Sequence, residues 1–127
     1  MKSYTTLEQS KKLAKILPVN SADMCYRIVA YNPNDTHEYQ PYCFVGTLES
    51  DIPCWSLTAL LDQLEDVICD EDGNEYELVI KKEGVQYDIY YLNICGEQDN
   101  IELDSFYDDL VDCCYEMIVK LKEKDLI

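Results

Sequence analysis

Pro53-Cys54-Trp55-Ser56-Leu57-Thr58-Ala59-Leu60-Leu61-Asp62-Gln63-Leu64 holds the only tryptophan of the chain and its clearest helix start. Ser56 is a natural N-cap, because its hydroxyl can accept from the free N–H groups of a first turn. Trp55 and Leu60 then stand at the spacing of a hydrophobic staple. Pro53 falls just outside, where an extended residue fits. At about 100° per residue, Leu57, Leu60, Leu61, Leu64, Val67 and Ile68 share one face. Thr58, Asp62, Glu65 and Asp66 point away from it. The stretch predicts a helix continuing to Ile68, with one apolar stripe to bury and Trp55 in the core.

C-terminal to this helix, Cys69-Asp70-Glu71-Asp72-Gly73-Asn74-Glu75 reads as a solvated turn. Its acids do not match a calcium loop, which needs them at positions 1, 3 and 5 before a glycine at 6. Tyr76, Leu78 and Ile80 then alternate with Glu77, Val79 and Lys81. Beyond Glu83-Gly84, Val85, Tyr87, Ile89 and Tyr91 alternate with Gln86, Asp88, Tyr90 and Leu92. This is the pattern of a β-hairpin, with Gly84 supplying a positive φ at the turn. Both faces become apolar toward Tyr90-Tyr91-Leu92. After a second turn at 96–100, Asp104 or Ser105 is expected to cap a last helix. Its apolar face is Phe106, Leu110, Cys113, Met117 and Leu121. Asp108, Asp112 and Glu116 would lie at i, i+4 and i+8 on the opposite face, with Asp109 beside them.

Toward the N-terminus, Thr5 and Glu8 have capping-box spacing, and a helix should follow to about Leu17, ended by Pro18. Lys2, Lys11, Lys12 and Lys15 form the one basic patch, expected to pair with the acidic half of the chain. Met24 to Tyr31 reads as a strand. Asn32 to Glu38 reads as a loop, and Tyr39 to Leu48 as an antiparallel second strand with Pro41 at its edge. The expected architecture is one α+β domain over 1–127, in the order α-β-β-α-β-β-α. Three amphipathic helices pack antiparallel strands.

Composition bounds function. The hydrophobic share of 47% is ordinary for a globular chain. No apolar run nears the ~18 residues of a membrane span, and the start is polar and helical rather than a signal peptide, so a cytoplasmic location is expected. The formal charge is −16, with a net −2 over residues 1–64 and −14 over 65–127. Such a charge repels nucleic acid and anionic membranes and attracts a basic protein surface. Seven cysteines occur without a Cys-x-x-Cys, beside one histidine, His37. They read as free thiols packed in a reducing compartment; no metal site or cofactor is implied.

Four segments also carry a resemblance: Met1-Lys2-Ser3-Tyr4-Thr5-Thr6-Leu7-Glu8-Gln9-Ser10-Lys11-Lys12-Leu13-Ala14, Ser21-Ala22-Asp23-Met24, the central stretch quoted first, and Glu116-Met117-Ile118-Val119-Lys120-Leu121-Lys122-Glu123-Lys124. Together they resemble a family of short proteins of gut anaerobes of the Bacteroides type and of their phages and mobile elements. That family has no assigned activity. The resemblance implies a bacterial, intracellular setting and transfers no catalytic residues.

Three functions are compatible with these features. The first is a non-catalytic acidic interaction protein, with a protein partner and eleven tyrosines to build a recognition surface. The second is an acidic decoy that imitates nucleic acid and occupies a DNA- or RNA-binding protein. The third is a carboxylate enzyme, for which no motif singles out an acid. No catalytic residue is assigned. The candidate interaction residues are Asp108, Asp109, Asp112, Glu116, Tyr90 and Leu92. The apolar hairpin face around Tyr90 and Leu92 also makes a homodimer a candidate assembly.

Overall fold

The computed structural model describes residues 1–34, 36–96 and 99–127. Among them run α1 (Leu7–Leu13), β1 (Met24–Ala30), β2 (Glu38–Tyr42), β3 (Ile52–Cys54) and α2 (Leu57–Asp62). Then come β4 (Val67–Cys69), β5 (Glu75–Glu83), β6 (Gln86–Asn93), β7 (Ile101–Glu102) and α3 (Leu110–Glu123). The sheets are β2-β1-β3 and β4-β5-β6-β7, and every pairing is antiparallel. The fold is α+β, as expected, with short strands β3, β4 and β7 added to the anticipated order. The chain falls into two compact units: Ser3–Ala59, and Met1–Lys2 with Leu60–Ile127.

In the unit Ser3–Ala59, the capping box lies one residue later than expected. Thr6 Oγ1 accepts from Gln9 N at 3.1 Å, and Gln9 Oε1 accepts from Thr6 N at 3.0 Å. Thr5 is unavailable for this role because it is fully buried and already bonded. Its hydroxyl lies 2.8 Å from Ser10 Oγ and accepts from Trp55 N at 3.2 Å, while its carbonyl accepts from Tyr26 Oη at 2.7 Å. Burial pushes the Tyr26 phenol up to about 12. Met24, Tyr26 and Cys54 form one core cluster of this unit, flanked by Tyr4, Leu7, Tyr39 and Ile52. Ser56 caps α2 as expected, accepting from Ala59 N at 3.2 Å.

The second strand stops at Tyr42 rather than Leu48. The residues after it fold over the face of β1 that carries Cys25 and Arg27. Arg27 Nε and Nη2 donate to the two oxygens of Asp51 at 2.9 and 2.8 Å, and Leu48 N donates to Asp51 Oδ2 at 2.9 Å. Gly46 is needed at this closure. A Cβ there would stand 2.7 Å from Asp51 Cβ and 3.1 Å from Cys25 Cβ. Gly46→Ala is expected to cost about 1–3 kcal/mol, because neither neighbour is the free end of a side chain. Chemical denaturation of the variant measures it.

Asp51 also sets a pH dependence. The Arg27 guanidinium and the loop amides hold its carboxyl at about 2, below the ordinary 3.8. A depressed folded-state value stabilises the fold above the ordinary value, and the contribution is lost as pH falls from 3.8 through about 2. The stability margin of wild type over Asp51→Asn is therefore expected to be constant near neutrality and to shrink across that window. Urea unfolding of both proteins at a series of pH values reads it.

In the second unit, β5 and β6 form the expected hairpin. Glu83 pairs with Gln86 around Gly84-Val85, and Gly84 has φ +63°. The register Leu78–Tyr91 and Ile80–Ile89 puts the buried Ile89 and Tyr91 on one face. There α3 packs through Val111, Cys113, Cys114, Met117, Ile118 and Leu121.

Three helix boundaries differ from expectation. α1 ends at Leu13 rather than near Leu17, the chain tightening through Lys15 N→Lys12 O and Ile16 N→Leu13 O. After Asp62 the chain tightens through Gln63 N→Leu60 O and Leu64 N→Leu61 O, and Val67 and Ile68 leave the helix for β4. There they pair with Glu77 and Tyr76. Likewise α3 starts at Leu110, not near Ser105. Tyr107 is held in a bridge to Tyr87, its carbonyl accepting from Tyr87 N at 2.7 Å. Phe106, assigned to the apolar face from sequence, is exposed.

Candidate interaction surface

The sheet β4-β5-β6-β7 has two unlike faces, because side chains alternate along each strand. The face opposite α3 follows from the register. One row is Cys69, Glu75 and Ile94, the last donating its N–H to Glu75 O at 2.9 Å. The next is Val67, Glu77 and Leu92, then Val79, Tyr90 and Glu102, then Lys81 and Asp88. Val67 is 45% exposed, Leu92 39% and Ile94 49%. Two apolar columns, one on β4 and one on β6, thus flank the carboxylates of Glu75 and Glu77 on β5.

The charges on this face are unbalanced. Burial pushes the Asp88 carboxyl above its ordinary value, and the Glu102 and Glu83 carboxylates add to the shift; Lys81 opposes it. The Lys81 ammonium lies 5.5 Å from the centre of the Tyr90 ring, a cation–π contact.

The six residues singled out from sequence do not form one surface. Tyr90 and Leu92 lie on the open face, and α3 packs on the other. Asp108 precedes α3 and is exposed. Asp109 is the buried N-cap: its Oδ1 accepts from Val111 N at 2.9 Å and its Oδ2 from Lys2 N at 2.7 Å. Asp112 pairs with Lys2 Nζ at 2.6 Å. Glu116 lines a shallow groove with Leu103, Asp104, Tyr107 and Lys120, in which Lys120 Nζ bonds Asp104 Oδ1 at 3.4 Å. The expected carboxylate row at i, i+4 and i+8 is therefore absent, because Asp108 is outside the helix. Lys2 meets the acidic residues as anticipated, whereas Lys11 is 3.9 Å from Glu8. Sequence reasoning missed Glu75, Val67 and Ile94; the parity of Glu75 with Glu77 was the available signal.

Other candidate chemistry resolves into structural roles. Asp70 closes its turn, accepting from Asp72 N, Asn74 N and Asn74 Nδ2 at 3.0, 2.9 and 2.9 Å. The Asn74 bonds hold its carboxyl below the usual range. His37 Nδ1 accepts from Asn32 N at 2.9 Å within its loop. All seven cysteines are free; Cys25, Cys54, Cys113 and Cys114 are buried, and Cys43, Cys69 and Cys95 are exposed. Burial pushes the Cys113 and Cys114 thiols up to about 11 and about 12, which disfavours the nucleophilic thiolate. Among the described residues, no group of three or more His, Cys, Asp and Glu side chains is placed to hold a metal ion, and no helix is long and apolar enough to cross a membrane.

No family model matches the chain, and no curated protein or solved structure does.

Proposed function

We propose that the protein is a non-catalytic interaction protein that holds a protein partner on the open face of its four-stranded sheet. The supporting observation is the exposure of Val67, Leu92 and Ile94 in neighbouring rows of that face. Single apolar residues scattered on a surface are ordinary, whereas here three gather on one sheet face, on either side of the Glu75 and Glu77 carboxylates. A cytoplasmic, bacterial setting, with a tie to mobile elements, belongs to the same proposal and rests on the resemblance of the chain ends and centre.

The acidic-decoy reading draws on the net −14 of residues 65–127. It has less support than the open face, since Asp109 is buried at a helix start and Asp112 is matched by Lys2. A carboxylate enzyme has the least support, with Asp104 in the groove beside Glu116 bonded to Lys120.

The test is affinity capture from host lysate with wild type and with the double variant Val67→Ser/Leu92→Ser. The variant is expected to keep its melting temperature within a few degrees, because both sites are solvent-exposed, and to lose the partner that wild type retains. An unchanged set of captured proteins rejects the open face as the site.

A further inference from the structure

We infer that the occupant of the open sheet face is a basic amphipathic helix of a partner protein. The inference rests on the proposed function above and adds the chemistry of the partner. On its other face this sheet is already covered by α3, through a stripe of buried apolar side chains. A second helix on the open face completes the layered arrangement that sheets of this kind adopt. Openness alone is no argument, because antiparallel sheets often leave one face to water. The side chains decide the occupant. Val67 on β4, Leu92 on β6 and Ile94 just past the end of β6 offer apolar contact, and Glu75 and Glu77 stand between them on β5. A helix whose Leu or Val residues cover the columns brings Lys or Arg heads onto the two carboxylates. The long stems of those residues pack on the same apolar atoms.

One further observation favours a basic occupant over a second copy of this chain. Asp88 and Glu102 share this face, Glu102 pairing with Tyr90 two residues along β6 from Asp88, so an incoming cation meets two neighbouring carboxylates there. Two copies face to face would instead oppose the same carboxylates, each on a chain of net charge −16.

The experiment titrates the full chain with a designed 18-residue helical peptide carrying Leu at i, i+3, i+4 and i+7 and Lys elsewhere, and with its Glu-for-Lys counterpart. Binding is measured calorimetrically and mapped by backbone amide shifts. The Lys peptide is expected to bind and to move the amides of Val67, Glu75, Glu77 and Leu92, and the Glu peptide is expected not to bind. Glu75→Gln/Glu77→Gln is expected to weaken the Lys peptide about tenfold, and added salt to weaken it further. The charge-matched control Glu49→Gln/Glu123→Gln is expected to change it less than about twofold.

Equal weakening by both double variants would reduce the effect to net charge and overturn the inference. So would amide shifts away from this face, or self-association that shifts these amides without peptide. The two proposals fail separately. If Val67→Ser/Leu92→Ser loses the native partner while Glu75→Gln/Glu77→Gln keeps it, the basic helix is wrong and the docking face stands. If Val67→Ser/Leu92→Ser keeps the partner, the docking face itself is wrong.

Discussion

Trp55→Ala is expected to destabilise the protein by about 3–5 kcal/mol and to lower its melting temperature by roughly 10–20 °C. The indole is fully buried and is the largest wholly buried side chain. Its removal leaves a void that the surroundings fill only in part, and lost contacts add to lost transfer free energy. The indole N–H donates to Ser21 Oγ at 3.0 Å, which ties the 3-10 turn Val19–Ser21 to the start of α2. The backbone at Trp55 is bonded on both sides, its N–H to Thr5 Oγ1 and its carbonyl accepting from Thr5 N at 2.9 Å. The position is therefore fixed by the chain as well as by packing. Trp55→Phe refills most of the volume without the donor, and its cost is expected to fall well below that of alanine. Denaturant titration of both variants separates volume from hydrogen bond. A loss below about 1 kcal/mol for alanine would mean that the site collapses without cost.

Met117→Ala is expected to cost about 2–5 kcal/mol. Met117 is fully buried on α3, with Cys113, Cys114, Ile118 and Leu121 also buried on the same helix. Helix propensity runs the other way, since alanine is the best helix former. That gain is a few tenths of a kcal/mol, so the lost packing dominates. Met117→Leu keeps the volume, and its cost is expected to stay under about 1.5 kcal/mol. A thermal melt of the pair tests the ratio. Equal effects of alanine and leucine would show that α3 is held by something other than this stripe.

The hairpin was legible because its alternation is strict over both strands and Gly84 sits at the reversal. The last helix was legible in its stripe but not in its start. Asp104, Ser105, Asp108 and Asp109 are all competent caps. The choice among them falls to Lys2 and to the Tyr87–Tyr107 bridge, contacts distant in sequence. Val67 and Ile68 continue a helical pattern as well as they begin a strand, and periodicity alone does not separate the two. Their pairing with Glu77 and Tyr76 decides it, together with the 2.9 Å bond from Leu78 N to Asp66 O. The same blindness hid half of the open face. Tyr90 and Leu92 could be read from the hairpin, while Val67 joins them only once β4 exists. The two adjacent threonines were misread for a simpler reason. Either fits a capping box, and burial of Thr5 leaves the role to Thr6.

Pro41, placed on β2 at the edge of the three-stranded sheet, has a consequence for assembly. It has no N–H, so the outer rim of that strand lacks one donor for templated growth. In the other sheet β4 pairs only with Glu75, Tyr76 and Glu77, and beyond it β5 itself forms the rim, where Lys81, Lys82 and Glu83 set charges against an added strand. This guards against fibril seeding. It also leaves association to be directed by side chains meeting a sheet broadside.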